Sequence, residues 1–182
     1  MRMVIDENMN GFDNEMSYNP RIIQAHTNEL AEITLSFTGN LIATASKRGT
    51  LIRIFLTTGL CEKIVEFRRG SDTADIYSIA FSFDSSFLCV SSDKGTMHIY
   101  GIRDPKSNRM VALPHALNDA FGDLCNFKVD NEWACICAFS DPNHVVTASI
   151  NGTFHKHIFT SDGKCNREEY ELYLDGIDGC DF

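Results

Sequence analysis

Apolar and polar residues alternate over short stretches of the chain, and the alternation recurs in three related segments. These are LAEITLSFTGNLIATASKRGTLIRIF at residues 30–55, IYSIAFSFDSSFLCVSSDKGTMHIY at 76–100 and WACICAFSDPNHVVTASINGTFHKHIF at 133–159. Each contains an apolar run, a polar turn, a second apolar run that ends in small residues, a glycine turn and a third run. Since residues i and i+2 of a strand share a face, the pattern predicts three consecutive antiparallel strands in each segment.

The three segments share the motif small-Ser-x-x-Gly-Thr, whose glycines are Gly49, Gly95 and Gly152. A glycine at this place is typical of a hairpin turn that requires a positive φ. No segment shows a sustained apolar period of 3.6 residues, so no amphipathic helix is predicted. Units of three or four strands that recur every ~40–50 residues are typical of β-propeller blades, whereas solenoid repeats are usually shorter and parallel. We therefore predict an all-β fold of about three WD-type propeller blades.

The blades are predicted at about residues 26–70, 71–130 and 131–182, within a partial propeller over residues 20–182. Residues 1–19 are acidic and rich in Asn and Met, which predicts a disordered N-terminus. At ~40–50 residues per blade, the chain length corresponds to about 3.5 to 4.5 blades, of which three are located. An open stack of so few blades would expose a sheet face and strand edges.

Composition narrows the functional classes. The formal net charge is −9, which argues against a general nucleic-acid binder, so no nucleic-acid partner is predicted. There is no long apolar run and no secretory signal pattern, and the seven cysteines are an odd number, which together predict free thiols in the cytoplasm. No Gly-rich nucleotide loop, G-x-S-x-G elbow or HExxH motif is present, so neither an enzyme nor a cofactor is predicted.

Two short pairs have a spacing that metal ligands also use. They are Cys135-x-Cys137 and His155-x-His157. Plain strand alternation explains both pairs, because i and i+2 share a face, and the spacing is not that of a known zinc ribbon or finger. No metal site is predicted.

Basic residues are concentrated between the first two segments. Residues 45–70 hold six cations against two acids: Lys47, Arg48, Arg53, Lys63, Arg68 and Arg69 against Glu62 and Glu66. Within this stretch is Phe67-Arg68-Arg69-Gly70. Two adjacent arginines in an extended chain point to opposite sides, so each can serve a different blade, and the planar donor fork of Arg suits phosphate. The alternative is a solvated pair that only improves solubility.

The stretch over residues 25–104 resembles the PROPPIN (WIPI) family of phosphoinositide-binding propellers. The resemblance is carried by AHTNELAEITLSFTGNLIATASKRGTLIRIF, by EFRRGSDTADIYSIAFSFDSSFLCVSSDKGTMHIY and by RDPKSN. Among the subgroups of this family, the stretch most resembles the one that contains the third and fourth human WIPI proteins. The resemblance continues more weakly through CICAF and NGTFHKHIF, and covers about residues 20–175. Since members of this family are seven-bladed propellers, the resemblance implies that the chain is the C-terminal part of such a propeller.

The resemblance implies binding of phosphatidylinositol 3-phosphate and phosphatidylinositol 3,5-bisphosphate at two rim sites, one on each side of FRRG. The first site would hold Arg68 with His26, Ser46, Thr50 and Arg53. The second would hold Arg69 with Ser92, Lys94, Thr96 and His98. Hydroxyls orient the phosphate in such a site, and Arg and protonated His neutralise it.

The repeat supports this pairing independently. Ser46 and Ser92, and likewise Thr50 and Thr96, lie at equal distances from their turn glycines, whereas Arg53 and His98 correspond only with a one-residue offset. A structural alternative stays open. The two Ser fit a tight strand end, the two Thr suit a hairpin flank, and His26 is equally consistent with a satisfied propeller histidine.

The resemblance also implies a membrane-inserting loop at about residues 102–123. Its cations are Arg103, Lys106 and Arg109, and its apolar residues are Met110, Val111, Leu113, Leu117 and Phe121. Such a loop places cations at anionic headgroups and apolar side chains in the interface, although an ordinary flexible loop is the alternative.

The implied function is that of an effector recruited, with other autophagy proteins, to preautophagosomal or endosomal membranes. The alternative is a WD-repeat scaffold without membrane binding, or a non-functional truncated isoform.

Overall fold

The computed structural model describes residues 2–5, 21–102, 122–129 and 133–173, and every regular element within these ranges is a β-strand. A two-stranded sheet contains β1 (Arg2–Ile5) and β2 (Arg21–Gln24). The first four-stranded sheet contains β3 (Leu30–Leu35), β4 (Leu41–Ser46), β5 (Leu51–Leu56) and β6 (Lys63–Arg68). The second contains β7 (Ile76–Phe81), β8 (Phe87–Ser92), β9 (Thr96–Gly101) and β10 (Cys125–Lys128). The third contains β11 (Cys135–Asp141), β12 (His144–Ser149), β13 (Thr153–Phe159) and β14 (Cys165–Leu172).

Each four-stranded sheet is an antiparallel meander in chain order, and we call the three sheets the first, second and third blade. The all-β prediction is confirmed. Disorder was predicted for the N-terminus, but residues Arg2–Ile5 form a strand, since their backbone pairs with that of Arg21–Gln24. The rest of the predicted disordered N-terminus lies outside the described residues. No helix of the described ranges is long and apolar enough to cross a membrane.

Two apolar interfaces join the blades. Between the first and second blades, buried side chains of β5 and β6 pack on those of β8 and β9, and the ring of Phe67 stacks on that of Tyr100 at 4.6 Å. Between the second and third blades, Met97 and Ile99 pack with Val145 and Phe159. Because each second strand is buried along nearly its whole length in the first two blades, runs such as LIATAS and FLCVSS are apolar or small throughout.

The turn glycine of the first blade is fixed by a close approach. Gly49 has φ of 65°, and a Cβ added to it would lie 1.9 Å from the carbonyl oxygen of Ala74. Gly95 and Gly152 also have positive φ, at 63° and 87°, so the predicted glycine hairpins are confirmed. The turn at Gly49 therefore packs directly on the segment that links the first blade to the second.

We expect Gly49→Ala to destabilise the fold much more than Gly59→Ala. Gly59 has nearly the same φ, 64°, but a Cβ there meets nothing within 4 Å. Gly59→Ala therefore reports the left-handed backbone alone, about 1 kcal/mol, whereas Gly49→Ala adds a clash with backbone and costs at least about 3 kcal/mol. Urea unfolding of the two variants measures the difference. Equal losses would contradict the close approach at Ala74.

Candidate functional site

The basic pair lies where β6 leaves the first blade. Val65 and Phe67 are buried toward the second blade, and Arg69 continues this face with only 9% of its surface exposed. Arg68 lies on the opposite face with Glu66, and its side chain is exposed. Strand alternation therefore places the two arginines on different sides of the first blade.

Neutral oxygens hold the Arg69 guanidinium. Its Nε donates to the Gly49 carbonyl at 2.6 Å and its Nη2 donates to the Asp72 carbonyl at 2.5 Å. The Arg69 backbone N–H donates to the Thr50 carbonyl at 2.9 Å. Across the described ranges, no carboxylate lies within ion-pair distance of Arg68 or Arg69. Carbonyl dipoles thus position the charge of Arg69 without cancelling it, which leaves a positive site at the junction of two blades.

One of the two cations of the first predicted group, Arg53, already pairs with a carboxylate. Arg53 donates from Nε to Glu66 at 2.6 Å and from Nη1 to the Ala25 carbonyl at 2.6 Å. Lys63 donates to the same Glu66 oxygen at 3.1 Å. Glu66 is buried enough to raise its pKa, but the hydrogen bonds and charges of Arg53 and Lys63 outweigh this effect and lower it. Glu66 therefore stays ionised and offsets part of the positive charge on this face.

His26 is a buried, neutral histidine. Its Nε2 lies 3.0 Å from Thr44 Oγ1 and 3.3 Å from the Thr44 carbonyl oxygen. Burial, and then the nearby charge of Arg53, lower the pKa of His26 to about 4. At neutral pH the ring carries no charge, so the expected neutralisation of phosphate by a protonated histidine does not apply to His26. Its contacts are those of a satisfied propeller histidine.

The second predicted group lies at the junction with the first blade. His98 Nδ1 lies 2.7 Å from Asp123 Oδ2, and the charge of Arg69 acts on its ring. Burial lowers the pKa of His98, Asp123 opposes this shift, and Arg69 adds to it. Lys94 reaches Asp93 at 2.9 Å on the surface. The structure thus brings His98 close to Arg69.

The hydroxyls of the two groups lie at the glycine turns. Ser46, Thr50 and Ser92 are buried, and Thr96 is half-buried. The Ser92 hydroxyl accepts the Lys94 backbone N–H at 3.4 Å. These places fit the strand-end and hairpin-flank alternative as well as a binding role.

The strand register refines the correspondence between the two groups. Arg53 pairs with Thr44 and His98 pairs with Val90, and each partner lies two residues before the serine of its motif. Arg53 and His98 therefore occupy equivalent positions, and the one-residue offset is confirmed. Thr50 precedes the strand ladder whereas Thr96 begins β9, so the equivalence of Thr50 and Thr96 is wrong. The turn of the first blade contains one more residue.

Several residues of the site were not found from sequence. Asp123 follows the long connection after β9, Asp72 acts through its backbone carbonyl, and Tyr100 contributes a buried ring beside Arg69. No local pattern signals these partners. Residues 103–121 of the predicted membrane loop lie outside the described residues, and they include Met110, Val111, Leu113, Leu117 and Phe121.

Of the cysteine and histidine pairs whose spacing metal ligands also use, Cys135, Cys137 and His157 lie in the interface of the second and third blades. Cys137 Sγ contacts the Ser78 hydroxyl at 3.6 Å, and the ring of His157 stacks on Phe127 at 3.7 Å. Within the part of the chain that the structure describes, no three His, Cys, Asp or Glu side chains converge as metal ligands. Strand alternation accounts for both pairs.

We expect His26 to make the protein less stable as the pH falls from about 6.5 to about 4. The unfolded chain binds a proton at His26 near the ordinary pKa of 6.5, whereas the folded chain does so only near 4, so acid favours the unfolded state. His26→Gln removes this contribution, and the urea midpoint should then change less between pH 7 and pH 5.

His157 serves as a matched second position, since burial lowers its pKa to about 4 as well. The double variant with His157→Gln should show a flatter pH dependence than either single variant. An unchanged pH dependence in His26→Gln would contradict a neutral His26.

Comparisons with known proteins agree with this architecture. A sequence model described as PROPPIN matches residues 9–130. Autophagy-related protein 18e of Arabidopsis thaliana is 35% identical over 145 residues, which cover 75% of this chain and 38% of that protein. Autophagy-related protein 18 of Dictyostelium discoideum is 48% identical over 87 residues, which cover 48% of this chain and 23% of that protein.

Solved structures show the same fold. Hsv2 of Kluyveromyces lactis superposes with a TM-score of 0.76 at 25% identity, over 92% of this chain and 54% of that chain. KlAtg21, in a complex with the coiled coil of AgAtg16, superposes with a TM-score of 0.63 at 25% identity, over 81% of this chain and 43% of that chain. The chain therefore spans less than two fifths of these two relatives and about half of these structures. The three sheets are blades of a partial β-propeller, as predicted.

Proposed function

We propose, from the premise that the chain belongs to the PROPPIN family, that it is a phosphoinositide-binding effector recruited to membranes in autophagosome formation. Its relatives in Arabidopsis and Dictyostelium are named as autophagy-related proteins. The ligands we propose are phosphatidylinositol 3-phosphate and phosphatidylinositol 3,5-bisphosphate, on the cytoplasmic side of preautophagosomal or endosomal membranes.

The observation that carries this proposal is the pair Arg68 and Arg69. Most other described cations near them are neutralised, as Arg53 and Lys63 are by Glu66 and Lys94 is by Asp93. The two arginines have no such partner in the described ranges, and Arg69 is nearly buried. A doubly charged phosphate is the natural counter-ion for a guanidinium whose remaining donors are not used by carboxylates.

Each arginine defines one proposed headgroup site. Arg68 serves the first, with His26, Ser46, Thr50 and Arg53. Arg69 serves the second, with Ser92, Lys94, Thr96 and His98. Lys94 is free to join an arriving phosphate, because its pair with Asp93 is partly exposed and such pairs contribute only about 0–1 kcal/mol.

The two sites and the loop at residues 102–123 form one proposed membrane-binding edge. Weak sites on a common edge reinforce one another, because the first contact raises the effective concentration of the others. We also propose autophagy proteins as partners, in line with the complex of KlAtg21 with the AgAtg16 coiled coil.

We expect the chain to float with vesicles that contain phosphatidylinositol 3-phosphate, and the double variant Arg68→Ala, Arg69→Ala to remain with the unbound protein. The loss should exceed about tenfold, since two charge-assisted phosphate contacts are removed. A liposome flotation assay measures the bound fraction.

The matched control is Lys156→Ala with Lys164→Ala, which removes the same charge from the third blade, outside both residue groups. The control therefore distinguishes the loss of two particular arginines from a general loss of positive charge. Equal flotation of wild type and the arginine variant would refute the site, and no flotation of the folded wild type would refute the function.

We expect Arg68→Ala alone to halve the binding stoichiometry and not to abolish binding. The two arginines face different sides of β6, so removing one leaves the other site intact. Isothermal titration with the soluble headgroup inositol 1,3-bisphosphate measures the number of sites. An unchanged stoichiometry with uniformly weaker binding would indicate one shared site.

A further inference from the structure

Two exposed phenylalanines lie at one end of the blades. Phe37 is in the turn between β3 and β4, and Phe83 is in the corresponding turn between β7 and β8. Each is 73% exposed, and their ring centroids are 4.3 Å apart across the boundary between the first and second blades. Large exposed aromatic side chains that touch each other form an apolar patch, which is typical of an interaction site.

The turn does not need the Phe83 side chain. Ser82 Oγ accepts the Phe87 N–H at 2.9 Å and donates to Asp84 at 2.8 Å, while the Ser85 N–H donates to the Ser82 carbonyl at 2.9 Å. These contacts satisfy the hairpin through the residues on either side of Phe83. The aromatic ring therefore has no role in the turn that would account for it.

A groove continues the patch between the second and third blades. Its volume is about 410 Å³, and it is lined by Phe83, Asp84, Phe139, Ser140, Asp141 and Pro142. One wall belongs to the second blade and the other to the third. The groove therefore lies between two blades and not on the outer face of the first or the third blade. The groove has an aromatic floor large enough for one or two apolar side chains.

The charged groups of the groove are both carboxylates. The hydrogen bonds that Asp84 accepts from Ser86 and Ser82 outweigh its burial and lower its pKa, so it is ionised at neutral pH. Asp141 is 54% exposed, with His144 Nδ1 at 3.7 Å. Among the described residues that line the groove there is no Lys or Arg. This charge favours a cationic occupant and disfavours an anionic lipid surface.

We propose that this groove docks an extended segment of a partner protein that presents an apolar side chain between Lys or Arg residues. The apolar side chain packs on Phe83 and Phe139, and its basic neighbours reach Asp84 and Asp141. Arg68 pairs with Leu51 at the start of β5, and Phe37 lies beside the end of that strand, about 17 Å away at ~3.3 Å per residue. The patch therefore lies at the other end of the strands from Arg68, on the side where the connection after β9 leaves the second blade, since the Ile102 N–H donates to the Ser86 carbonyl at 2.7 Å.

The test uses the full chain and three fluorescein-labelled peptides, GSRLFKSGS, its acidic twin GSELFESGS and its truncated twin GSRAAKSGS. We expect the first to bind, and both twins to bind at least about tenfold more weakly, as judged by fluorescence anisotropy. Phe83→Ala and Asp141→Asn should each weaken binding of GSRLFKSGS, and added NaCl should weaken it too. Vesicle flotation should be unchanged in both variants.

Matched controls are Ile150→Ala and Glu169→Gln. Ile150 is 68% exposed at the opposite end of the third blade, and Glu169 is an exposed carboxylate on β14. Both should bind GSRLFKSGS as the wild type does. Because Phe83 is exposed, its variant should keep the wild-type melting temperature, which separates lost binding from lost fold.

Three results would overturn the proposal. One is equal binding of the basic and acidic peptides, and another is unchanged binding in Phe83→Ala. The third is loss of flotation in Phe83→Ala with unchanged peptide binding, which would assign the patch to the membrane. Failure of the lipid assay alone would refute the proposed function and leave this groove standing.

Discussion

Face-to-face packing of neighbouring blades is the contact on which the other features depend. A four-stranded antiparallel sheet has two faces and buries neither on its own, so each blade requires a neighbour. Phe67 packs on Tyr100 between the first and second blades, and Phe127 packs on His157 between the second and third. In both cases the fourth strand of one blade contacts the third strand of the next. This repeated contact sets the place of every other residue at the blade junctions.

The same packing positions the basic pair. Phe67 is buried in the interface with the second blade. Because side chains alternate along an extended chain, Arg69 points toward that blade and Arg68 points away from it. Arg69 then donates to the carbonyl of Gly49, the same glycine whose turn lies against the backbone of Ala74. A buried guanidinium, a glycine turn and an aromatic interface are thus parts of one arrangement.

Rules that concern residues close together in the sequence predicted the features that depend only on such residues. Strand alternation and positive-φ glycines gave the three blades and the opposite directions of Arg68 and Arg69. Counting from the turn glycine failed for Thr50, because one additional turn residue shifts it out of the strand ladder. The neutral state of His26 and the contact of His98 with Asp123 arise from burial and from residues distant in sequence. No motif encodes these effects, so they required the folded structure.

The net charge of −9 is therefore a poor guide to what the protein binds. Interaction depends on which charges remain uncompensated at one place, and Arg53 contributes little there because Glu66 lies 2.6 Å away. The charge of Arg69 is not offset in this way, since its side-chain acceptors in the described ranges are carbonyl oxygens and not carboxylates. At the other end of the sheets, Asp84 and Asp141 border an aromatic groove, and no basic residue lines it in the part of the chain that the structure describes. The proposed phosphate contacts of Arg68 and the proposed peptide groove therefore lie toward different ends of the strands.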